Sequence, residues 1–104
     1  MLLDVVERLS LLQVLPQKGN IVTLRILDDL RRDLSFTEEE VKKFAMNFDG
    51  GVATWTGSEP KEVPLGAAAE KIIADELTRL DKTGELHRSH MGLYARLVEG
   101  KEGD

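Results

Sequence analysis

As a string of apolar and polar positions, the chain divides into segments at helical spacing separated by turn residues. Leu2, Val5, Val6, Leu9 and Leu12 recur at intervals of three and four, which predicts a helix over 2–15 ended by Pro16 and Gly19. Leu3, Leu11 and Val14 fall on the opposite side, so this helix is apolar on two faces. It must be either packed between layers or docked against another chain. A second stripe, Leu24, Ile26, Leu27, Leu30 and Leu34, predicts a helix over 24–34 with Thr23 as N-cap. Ile21-Val22 before it reads as a short strand or as the entry to that helix. On its outer face, Arg25 with Asp29 and Asp28 with Arg32 have the i,i+4 spacing of ion pairs.

The stretch Ser35-Phe36-Thr37-Glu38-Glu39-Glu40-Val41 reads as one helix stopping and another starting. Thr37 and Glu40 have the spacing of a reciprocal capping box, and Phe36 and Val41 that of a hydrophobic staple. The helix they open is expected over 38–45. Asp49-Gly50-Gly51 then signals a turn, Val52–Thr56 has strand composition, and Lys61–Leu65 is a weaker strand with Pro64 at an edge. These predict a small antiparallel hairpin or three-stranded meander. Two helices follow, over 67–82 with Gly84 as the residue after its end, and over 86–98. Residues 1–100 form one domain and 101–104 a polar tail. The expected fold is α+β and mostly helical: winged-helix-like, with three helices and a small β-hairpin, followed by a C-terminal antiparallel helical hairpin.

Composition narrows the function more than it defines it. The 41% hydrophobic and 32% charged content of these 104 residues suits a globular domain, while the net charge of −5 argues against nucleic acid or an acidic membrane as partner. The absence of cysteine removes thiolate chemistry and disulfides. With no basic leader and no apolar run near the roughly 18 residues of a membrane span, cytoplasmic residence is expected and no membrane partner.

The wording of several stretches also looks familiar. Glu7-Arg8-Leu9-Ser10-Leu11-Leu12-Gln13-Val14-Leu15-Pro16, Gly19–Leu24, Ser35–Glu40 and Leu80-Asp81-Lys82-Thr83-Gly84-Glu85-Leu86, with His90 and Leu93-Tyr94 after them, resemble a group of small bacteriophage- and prophage-encoded proteins of unknown function. The resemblance spans most of the chain. It implies a phage context, the host cytoplasm as location, and no catalytic or binding residue.

Candidate chemistry is sparse. No Ser-His-acid set, Gly-rich phosphate loop or His/Cys metal set is in evidence, so neither enzyme activity nor a cofactor is expected. His87 and His90, with Glu85, lack a third placed metal ligand, and no metal site is expected. Glu76 interrupts the apolar face of the fourth helix and His90 that of the fifth, which predicts a structural polar pair across the two and a raised His90 pKa. If the order of elements serves DNA binding, Arg31, Arg32, Lys42 and Lys43 would carry it. A DNA reader sends the start of its third helix toward phosphates, and here that start is Glu38-Glu39-Glu40. The favoured expectation is therefore a non-enzymatic protein-binding or assembly module with a host, viral or identical partner, Leu3, Leu11, Val14 and Trp55 being the candidate contact residues. The alternative is a winged-helix DNA-binding transcriptional regulator.

Overall fold

Five α-helices and one two-stranded antiparallel ladder make up the described residues, 1–100, of the computed structural model; the expected polar tail over 101–104 lies outside them. In chain order they are β1 (Leu2–Leu3), α1 (Val5–Val14), α2 (Ile21–Leu34), α3 (Glu38–Lys43), β2 (Lys61–Glu62), α4 (Ala67–Thr83) and α5 (Met91–Leu97). Short 3-10 turns lie at Asp49–Gly51 and Arg88–His90. The mostly helical α+β class is as expected.

Several boundaries move, each for a local reason. The first helix starts at Val5 instead of Leu2, because Asp4 and Glu7 form a capping box. That frees Leu2-Leu3 to pair with Glu62-Lys61. The second starts at Ile21, because the Asn20 side chain, not that of Thr23, caps it by accepting the Thr23 N–H at 2.8 Å. Its ion pairs are Arg31 with Asp28 and Arg32 with Asp29, at i,i+3 instead of the expected i,i+4. The third begins as expected, with both capping-box bonds at 3.1 Å.

The expected hairpin between Val52–Thr56 and Lys61–Leu65 does not form. Thr54 instead bridges Asn47, and β2 pairs with the N-terminal strand, which lies before α1 instead of between the first two helices. Proline at 60 and 64 limits the ladder donors on either side of β2. The last predicted helix is split: the 3-10 turn at 88–90 precedes a shorter α5.

One main core gathers Leu3, Leu11 and Leu15 with Leu27, Leu30 and Leu34 of α2, Ile73 and Leu77 of α4, Leu93 of α5, and Val63. A second cluster, Val5, Phe44 and Met46, is covered by Leu9, Phe36, Val41 and Trp55. Helix α1 packs against α2, α4 and the turn at 88–90. Most of its two apolar sides is thus covered inside the domain, Val6 staying 40% exposed, and Leu3 and Leu11 lie in the core with no exposed surface.

Candidate functional site

The α2–α3 junction is built around a buried charge. Arg8 has no solvent-exposed surface, yet its guanidinium is well supplied with acceptors. Nε donates to the Leu34 carbonyl at 3.1 Å and Nη2 to that of Ser35 at 2.7 Å, serving carbonyls at the end of α2. Nη1 and Nη2 also donate to the two Glu40 oxygens, a bidentate pair, while the plane lies 3.9 Å above the centre of the Phe36 ring. The Arg8 hydrogen bonds, helped by the Thr37 N–H and the charge of Lys61, outweigh burial and hold the Glu40 carboxyl at about 2. Glu40 therefore belongs to the scaffold. Glu38 and Glu39 remain exposed at the start of α3.

Beyond α3 the chain makes a tight loop with a fixed base. Asn47 and Thr54 exchange N–H···O bonds of 2.9 and 2.8 Å, and the Thr56 N–H donates to the Phe44 carbonyl at 2.6 Å. Lys43 and Glu59 are linked at 2.6 Å. Ala45 takes φ +47°, where a side chain is strained, so that Met46 can turn back into the second cluster. Between these anchors Phe48 and Val52 are 50% and 64% exposed. The Asn47–Thr54 bridge thus closes a short loop that carries two exposed large apolar side chains.

The residues singled out from the sequence land in different places. Leu3 and Leu11 are core, so they form no contact surface, and Val14 is half-buried against that core. Trp55 is half-buried over the second cluster. Of the four basic candidates, Arg31 donates to the Pro16 carbonyl and pairs with Asp28, Arg32 pairs with Asp29, and Lys43 with Glu59. Lys42 is exposed.

Glu76 and His90 line the same depression, but Glu76 is bonded to Arg79, three residues on in its own helix, and not to His90. The His90 pKa is lowered, first by burial and then by His87, in contrast to the expected rise. A local arginine reaches the carboxylate first.

Two arrangements were not anticipated. Arg8 is one, although its place three residues from both Val5 and Leu11 sets it on the buried stripe. The other is a chain of hydroxyl and imidazole groups: Ser10 Oγ lies 3.1 Å from Ser89 Oγ, which lies 3.0 Å from His87 Nδ1. The same Nδ1 accepts the Ser89 N–H at 3.2 Å, so this histidine caps a turn. Among the described residues no three His, Asp or Glu side chains come together as a metal site, and no helix is long and apolar enough to cross a membrane. No family model, curated protein or solved structure matches the chain.

Proposed function

We propose that the chain is a non-catalytic protein-binding module whose contact point is the loop 47–54. The observation that carries this reading is the exposure of Phe48 and Val52 together on a loop closed by the Asn47–Thr54 bridge. Apolar side chains held out on a fixed base lose little conformational freedom on binding, and covering the half or so of each that is still exposed contributes about 1 kcal/mol. In this reading α1–α3 and the reduced wing 47–63 keep a winged-helix-like order, used to present a loop instead of entering a groove. The resemblance to phage proteins supplies the context, a host or viral protein in the host cytoplasm.

The test is a photocrosslinking residue at position 48, compared with one at exposed Lys18, in phage host lysate. A discrete partner crosslinked from 48 alone, and lost with Val52→Ser in a chain that still melts cooperatively, is the expected result. Equal crosslinking from both positions defeats the reading. A salt-titrated duplex-DNA assay is expected to show weak, non-specific binding; tight binding lost on replacing Lys42 and Lys43 would favour the DNA-binding regulator.

A further inference from the structure

A depression of about 260 Å³ opens between α1, α4 and the turn leading to α5, lined by Gln13, Val14, Glu76, Arg79, Leu80, Glu85 and His90. It shares no residue with the 47–54 loop. Its floor holds a histidine that is 8% exposed and has one ring nitrogen committed: His90 Nδ1 accepts the His87 N–H at 2.9 Å. The neutral ring therefore carries its proton on Nε2. Nε2 has no protein partner, and among the described residues no sealed-off side-chain nitrogen or oxygen lacks one, so this N–H keeps some solvent access on a residue that lines the depression.

Arg79 adds a second unused donor. Its Nε and Nη2 are turned to Glu76 Oε1, which leaves Nη1 free of protein acceptors. Glu85 adds an exposed carboxylate on the same rim, and Val14 and Leu80 give apolar wall. A purely anionic ligand would meet Glu85, and the Glu76 Oε2 that Arg79 does not use, unpaired, and a purely cationic one would leave the His90 and Arg79 donors unused. A molecule carrying both signs satisfies each group. The volume is below that of drug-sized sites and well short of a nucleotide site.

We propose that this depression binds an amino-acid-sized zwitterion, its carboxylate accepting from His90 Nε2–H and Arg79 Nη1–H and its ammonium lying against Glu85. His90 acts as a neutral donor. Because Nε2 already carries the proton, it cannot serve there as a base, and the site binds without proton abstraction at that atom.

The full chain, labelled with nitrogen-15, is titrated with the free L-amino acids one at a time at millimolar concentration, and with acetate and methylamine, while the His90 ring nitrogens are followed by NMR. At least one amino acid is expected to shift Nε2 saturably and more tightly than acetate or methylamine. Arg79→Gln and Glu85→Gln change exposed side chains, and each should weaken that binding roughly tenfold. The proposal is overturned if no amino acid gives a saturable shift, if acetate binds as well as the best amino acid, or if both variants bind like the parent.

Discussion

The α2–α3 connection, residues 35–37, and the α4–α5 connection, residues 84–90, solve the same problem with different chemistry. Each must satisfy N–H and C=O groups left open where one helix stops and the next begins. At the first, a carboxylate and a guanidinium do it: Glu40 serves the Thr37 N–H, and Arg8 serves the Leu34 and Ser35 carbonyls. At the second, Gly84 at φ +72° turns the chain out of α4, and two imidazole nitrogens accept the N–H groups of His87 and Ser89. Glu40, its carboxyl held at about 2, keeps its charge across the physiological range. An imidazole Nδ1 accepts only while it is unprotonated. The first connection is therefore fixed, and the second depends on pH.

The largest way to break this contrast is to remove the buried guanidinium. Arg8→Met takes both guanidinium bonds from Glu40 and leaves the Leu34 and Ser35 carbonyls without that donor, and truncating one member of a buried pair costs about 3–5 kcal/mol. Urea denaturation should show a midpoint lowered accordingly. Arg8→Met with Glu40→Leu should recover part of the loss, because it removes the stranded carboxylate as well.

Acid separates the two connections next. Glu40 has its folded pKa lowered from 4.5 to about 2, so its contribution is fully present above about pH 4.5 and is lost as pH falls toward 2. His90 is lowered from 6.5, so the unfolded chain takes up its proton first and stability declines as pH falls below 6.5. Denaturation midpoints against pH should therefore fall in two limbs. His90→Gln is expected to erase the upper limb and leave the lower, and a single limb near pH 4 in the parent would contradict the histidine part.

The smallest effect sharpens the comparison within the first connection. Thr37→Ala removes one cap acceptor while Arg8 still holds Glu40, and should cost about 1 kcal/mol in the same denaturation experiment. A loss near that of Arg8→Met would mean that the Thr37 hydroxyl, and not the guanidinium, fixes the junction.

What could be read from the residues followed their sequence separation. The Thr37/Glu40 box involves neighbours three apart, and so does the left-handed stop at Gly84; both were legible. The partner of Leu2-Leu3 lies some sixty residues away, and no local pattern marks Lys61-Glu62 as that partner. Leu3 and Leu11 were legible as apolar, with a layered interior and a docking face both open, and only the packing of α1 against α2, α4 and the turn at 88–90 decides for the interior. Arg8 was missed because a charge on a helix is ordinarily solvated, and its acceptors come from two separate elements. Glu76 and His90 were expected to pair and do not, because Arg79, three residues on in the same helix, was left out as a competitor for the carboxylate.

Arg96 carries one more consequence. Its guanidinium pairs with Glu7 and donates to the Leu2 carbonyl at 2.9 Å, a contact spanning 94 positions. During synthesis the ribosome releases the first strand and α1 long before α5. The Arg96 contacts of Glu7 and Leu2 form only when nearly all of the described chain has left the exit tunnel. Closure of the domain then waits on α5, and nascent chains arrested before Arg96 should remain open to protease around Leu2 and Glu7 while α2 and α3 are already made.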